Sequence, residues 1–402
     1  KIGALQLYPE NADHVIRFEA LAHTINCINY QPNKPACSRH RLNRICNELP
    51  LGKSRIQSQE DPMPNAFTEA FTFFGGSYTV FPGQLADPTF ILKHLNAAIF
   101  LSNRFEDNGK FRNDIYSLNQ GLLALSDLIA SRAGLVRNMA PNPLDSNIFI
   151  PPDIEAKKSL VMFSTQEMDD YFSPIGLSTS CLESFILPFG QLNTGSYSFQ
   201  NSPLHAQPII RFEERLIIAE PLMLLAALRH RILITAKQYG VMDLLFEEYQ
   251  KGILMTVVAA IERLGHQQIP FALPETENGL SIQESIWSLD TDKMLYTAVM
   301  TDNFTDYNGD DVFEDKYSLE EGELLDKHLS IVEQQIRQET SNLGDLFFLI
   351  VHAGVGRSRI IGLKLNNWSQ EPIVLMLSAA ELEIFSLLYF HEPLVLYKYA
   401  KA

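Results

Sequence analysis

The sequence has 402 residues, 46% of them hydrophobic and 20% charged, enough apolar material for two or three packed domains and too much for a predominantly disordered chain. Its 32 Lys and Arg stand against 48 Asp and Glu, a net charge of −16, which disfavours non-specific attraction to nucleic acid or to an anionic membrane. The longest apolar run, Leu216 to Leu228, is broken by Glu220 and Pro221 before it reaches a membrane-spanning length, so a soluble, cytoplasmic protein is expected.

The chain opens on Lys1 rather than on Met, and the expectation is a portion of something longer. After Asn11 and Asp13, Val15, Phe18, Leu21, Ala22, Ile25 and Ile28 fall at helical spacing. The chain then turns polar, and Lys34, Arg39, His40, Arg41, Arg44, Lys53 and Arg55 read as a solvated basic face that docks on an acidic part of the same chain. Cys27, Cys37, His40 and Cys46 have the donor types of a zinc site but lack the C-x-x-C knuckle, so free thiols are expected and zinc is the alternative. Gly75-Gly76, set among Phe71, Phe73, Phe74, Tyr78 and Phe81, predicts an aromatic hairpin. Helices are predicted over 88–105 and 118–133, and the Pro-rich stretch 139–153 closes a helical N-terminal region at about residue 140.

A middle region is predicted over 154–265. Leu160 to Phe163 reads as a strand, and Ser164 with Glu167 forms a capping box for a helix that ends before Pro174. Ser196, Ser198, His205 and the isolated Cys181 fall into no nucleophile motif. Ile209 to Phe212 and Leu216 to Ala219 flank the charged turn Glu213-Glu214 as a hairpin. Two long helices follow, one from Pro221 to its stop at Gly240, the other from Asp243 to its stop at Gly265.

The third region, 266–402, reads as α+β. Two strands meet at the turn Asp290-Thr291-Asp292. Asp306, Asn308 and Asp310 start like a calcium loop, but Asp311 stands where the turn glycine belongs and Tyr317 where the bidentate Glu belongs, so a solvated acidic loop is expected. A helix over 319–339 carries Leu324, Leu325, His328, Leu329, Val332 and Ile336. Strands are predicted over 346–352, 357–365 and 373–377, the first two as a hairpin turning at Gly354-Val355-Gly356; Ser378 and Glu381 then cap a helix through Leu388. The expected fold class is α+β, helix-rich, with short antiparallel hairpins in two or three domains.

Chemistry is sparse. Glu284, Asp290 and Asp292, beside an exposed helix acid at Glu247 or Glu248, are the candidate catalytic residues, with Asp290 and Asp292 as metal ligands for Mg²⁺ or Mn²⁺. In outline this helix, hairpin and acidic turn resembles the PD-(D/E)xK nuclease core over about 243–302. The resemblance implies a metal-dependent phosphodiesterase. That family's strand carries E/D-x-K, whereas this one reads Thr297-Ala298-Val299-Met300-Thr301; Lys293 is nearby but out of pattern. The favoured reading is therefore a non-catalytic interaction or scaffold portion of a larger cytoplasmic protein or assembly. It needs no cofactor, and its partner is another protein or flanking domains of the same chain. The nuclease is the alternative.

Overall fold

The protein is seen as a computed structural model that describes residues 86–132, 162–188, 206–218, 223–274, 282–301 apart from 291, 303–305, 307, 319–340, 343–353 and 373–401. The aromatic hairpin, the basic segment, the Cys27, Cys37, His40, Cys46 group, the Pro-rich boundary, most of the acidic loop and the turn at Gly354 lie outside the described residues.

In chain order the elements are α1 (Ala86–Leu101), α2 (Gly109–Arg132), β1 (Met162–Ser164), α3 (Thr165–Phe172), β2 (Ile186–Pro188), β3 (Ile209–Phe212), β4 (Arg215–Ile218), α4 (Met223–Gln238) and α5 (Met242–Arg263). They continue with β5 (Gln267–Ile269), β6 (Ile282–Asp290), β7 (Lys293–Thr301), α6 (Leu319–Glu339), β8 (Asp345–Ala353), β9 (Ile373–Ser378), α7 (Ala379–Leu388) and α8 (Val395–Lys401). They divide into two compact units, one holding Phe105–Val241 with Tyr307, the other Thr89–Arg104, Met242–Asp306 and Glu314–Ala402. The two long helices α4 and α5 thus belong to different units.

In the first unit, β1-β4-β3-β2 form a sheet. The β3–β4 hairpin turns through Glu213 at φ 52°, a left-handed residue that the two-residue connection demands. The capping box at Ser164 and Glu167 starts α3 as its sequence signature requires. A short 3₁₀ turn, Thr179–Phe185, lies against α2 at Gly121, where a Cβ would stand 2.7 Å from Cys181 Sγ. Gly121 therefore sets how closely the two segments approach. Tyr307 is held by its hydroxyl 2.7 Å from His230 Nδ1 and by its carbonyl, which accepts from Lys237 Nζ at 2.7 Å.

The second unit is a helix–sheet–helix sandwich. Its sheet runs β5-β6-β7-β8-β9, antiparallel through β7 and parallel from β7 to β9. The β6–β7 hairpin matches the sequence expectation, but β7, β8 and β9 are parallel to one another, so strand pairing is not confined to hairpins. The physical reason is α6, a crossover between β7 and β8. Leu325, Leu329, Val332 and Ile336 of α6 pack on Ile286, Tyr296, Ala298, Met300, Leu346, Phe348 and Ile350, all on one face of the sheet. On the other face Gln250 of α5 donates to Thr301 Oγ1 at 2.7 Å, and Tyr397 of α8 meets Phe347 edge-on. The alternation of Phe347 and Phe348 between faces is the two-residue period of an extended strand.

Candidate functional site

β6 carries two of the residues singled out from the sequence, at opposite ends. Glu284 lies near its start, paired in register with Ala298, while Asp290 pairs with Lys293 at its end. Six residues of extended strand span roughly 20 Å. Glu284 and the aspartates therefore occupy separate environments.

Glu284 faces α6. Its Oε1 accepts from His328 Nε2 at 2.7 Å and from the Tyr296 hydroxyl. His328 and Tyr296 are buried, and only 9% of the Glu284 side chain is exposed. Burial, reinforced by the adjacent Glu284 charge, pushes the Tyr296 hydroxyl well above its ordinary pKa, so it stays protonated and remains a donor. The trio is a satisfied polar network inside an apolar helix–sheet interface, and it ties α6 to β6 and β7. Neither His328 nor Tyr296 was among the sequence-level site residues. His328 was visible only as a polar residue in the apolar stripe of α6.

At the other end of β6, Asp292 Oδ1 accepts from Lys293 Nζ at 2.8 Å, and the Asp292 carbonyl accepts from Gly344 N–H at 2.7 Å. A Cβ at Gly344 would lie 2.8 Å from Asp292 Oδ2, so glycine is required for that approach. Asp345, opposite Lys293 in the parallel register, accepts from the Tyr397 hydroxyl and from Lys401 Nζ at 3.3 Å. The Lys293 ammonium holds the Asp292 carboxyl below its usual range; the Tyr397 hydroxyl, followed by Lys401, does the same for Asp345. Glu247 and Glu248 of α5 both accept from Arg104, and Glu248 also accepts from Lys251 at 3.0 Å. Among the described residues, no group of three or more His, Cys, Asp or Glu is arranged to hold a metal ion.

Among the described residues this unit also bears exposed apolar side chains near its C-terminal helices. Leu387, Leu388 and Phe390 are each 62% exposed, and Tyr399 is 58% exposed. The half-buried Phe385 ring links Tyr389 to Tyr399, with its centroid 5.2 Å from the first and 5.4 Å from the second. α7 buries Ala379, Ala380, Leu382 and Ser386, leaves Ile384 and Phe385 half-buried, and exposes Leu387 and Leu388. A helix apolar around most of its circumference is ordinarily covered on more than one side. The sequence signal was there in four consecutive large apolar residues, Leu387 to Phe390.

A family model described as anti-phage protein Upx-like matches residues 2–401. The chain belongs to that family. No curated protein and no solved structure matches it. Membership of an anti-phage family gives this chain a defence-related setting. No helix among the described residues is long and apolar enough to cross a membrane.

Proposed function

We propose that the chain acts in anti-phage defence, in the cytoplasm, as a non-catalytic interaction component that docks a protein partner through the apolar end of α7 and α8. The observation that carries this reading is the run of exposed apolar side chains Leu387, Leu388, Tyr389 and Phe390 at the end of α7, with exposed Tyr399 of α8 linked to Tyr389 through Phe385. Large apolar and aromatic side chains of this kind dominate the energetics of protein–protein interfaces, whereas their exposure contributes nothing to an isolated fold. The carboxylates of the same unit add support, since Glu248, Asp292 and Asp345 are each engaged by a cation of the unit.

The test is protection of cells against a phage that the unaltered chain restricts. A chain carrying Leu387→Asp and Phe390→Asp, shown by circular dichroism to be folded, is expected to lose protection. Full protection by that folded variant would overturn the reading.

The second reading is a metal-dependent phosphodiesterase, in line with the resemblance to the PD-(D/E)xK nucleases. It is favoured by the gathering of Asp290, Asp292 and Asp345 around Lys293, with Lys401 beside Asp345. In it Asp290 and Asp292 hold Mg²⁺ or Mn²⁺ once Lys293 is displaced, and Glu284 has no direct part. Mn²⁺-dependent cleavage of mixed DNA and RNA that disappears with Asp290→Ala and Asp292→Ala would establish this reading. No cleavage by either chain is the outcome expected here.

A further inference from the structure

We infer that the partner docked at the α7–α8 surface is a second copy of this chain, in a two-fold symmetric dimer; this inference rests on the interaction reading above. The argument is electrostatic as well as apolar. A chain with net charge −16 repels its copies over most of its surface. Two such chains approach at least cost where negative charge is locally absent. From Leu387 to Lys401 the sequence carries Lys398 and Lys401 against the single Glu392, with His391 exposed beside Phe390, so the apolar surface sits in a stretch that is not acidic. The other acids of α7 are committed within the unit, Glu381 to the cap at Ser378 and Glu383 to Lys93 Nζ at 2.7 Å.

A two-fold interface places the same patch on both partners and must therefore be self-complementary. This stretch has what that requires: apolar and aromatic residues at its centre, and at its margin the exposed acid Glu392 and the exposed bases Lys398 and Lys401, of which Lys401 is already held by Asp345. A partner of strongly basic or strongly acidic character would match only one sign of those marginal charges. The aromatic contacts of Phe385 with Tyr389 and Tyr399 also hold the end of α7 against α8, so the docking face is organised before association.

The experiment is analytical ultracentrifugation of the full chain at micromolar concentrations, alongside the Leu387→Asp, Phe390→Asp variant and a Lys398→Glu variant. Circular dichroism and thermal midpoints of all three confirm folding. The expected result is a dimer for the unaltered chain, a monomer for the double variant, and self-association weakened at least tenfold by Lys398→Glu. Phage protection by the same chains separates this inference from the reading beneath it. An unaltered chain that sediments as a monomer, while the folded double variant loses protection, overturns the dimer and keeps the interaction reading. A dimer that the double variant dissolves without losing protection keeps the dimer and overturns the interaction reading. An unaltered dimer that survives in the folded double variant places its interface elsewhere and also overturns the inference.

Discussion

Two helices flank the same sheet and differ in what they leave uncovered. α6 is amphipathic: Leu325, Leu329, Val332 and Ile336 meet the sheet, while Glu323, Lys327 and Glu339 are exposed. α7 is half as long and apolar on both sides, so that after packing one side within its unit it still exposes Leu387 and Leu388. The difference teaches where stability and function reside in this unit. Substitutions on the covered face of α6 change the fold; substitutions at the end of α7 change what the fold meets.

The comparison breaks most easily in the core. Leu329 is fully buried beneath the sheet. Leu329→Ala is expected to cost about 2–5 kcal/mol in a urea titration, the usual range for removing a buried leucine side chain. By contrast, Leu387→Ser should leave the midpoint unchanged within about 0.5 kcal/mol, as surface substitutions usually do. Equal losses at the two positions would show that the end of α7 is part of the core.

The buried network sharpens the same contrast. Glu284→Ala removes the acceptor shared by His328 and Tyr296 and leaves two buried groups without it, for an expected loss of about 1–3 kcal/mol by the same titration. Tyr296→Phe removes one donor and keeps the ring against Phe348, and should cost less. A neutral Glu284→Ala would mean that water enters freely where the structure shows a packed interface.

A pH dependence follows from α1. His94 is buried beside Phe90 and close to Gly252 of α5, and burial, with Lys93 adding to it, lowers its pKa to about 4. The unfolded chain binds the proton near 6.5, the folded chain only near 4, so the unfolded state holds more protons between those values. The contribution is therefore fully present above pH 6.5 and is lost as the pH falls towards 4. Over that window the thermal midpoint of the unaltered chain should drop further than that of His94→Gln. Parallel curves would remove His94 from the account.

The smallest effect is expected at the exposed sheet end. Asp292→Ala removes a surface ion pair with Lys293, and pairs of that kind contribute little. No change in the thermal midpoint is expected.

Local grammar made much of this fold legible in the sequence. The capping boxes at Ser164 and Ser378 marked the starts of α3 and α7, and the left-handed glycines Gly240 and Gly265, at φ 67° and 101°, close α4 and α5. The apolar spacing from Leu324 to Ile336 gave α6 its bounds. What was not legible is long-range. The parallel pairing of β7 with β8 depends on a crossover, and residue patterns within β8, buried on both faces, do not announce its partner. The site was less legible for the same reason. Glu284 and Asp290 are neighbours in a list of acids, yet an extended strand holds them apart, while His328, distant in sequence, reaches Glu284 from another element. Exposure at Leu387 to Phe390 is also a tertiary property: the apolar run was visible, but not which of its sides the unit would cover.

The most direct measurement compares the two ends of this unit within one phage-plating assay. Cells carry the unaltered chain, the folded Leu387→Asp, Phe390→Asp variant, or the Asp290→Ala, Asp292→Ala variant. The account predicts that plating efficiency rises to that of unprotected cells only with the α7 variant, and that the aspartate variant protects like the unaltered chain. Protection lost with the aspartate variant and retained with the α7 variant would contradict it and move the working part of the molecule to the sheet end.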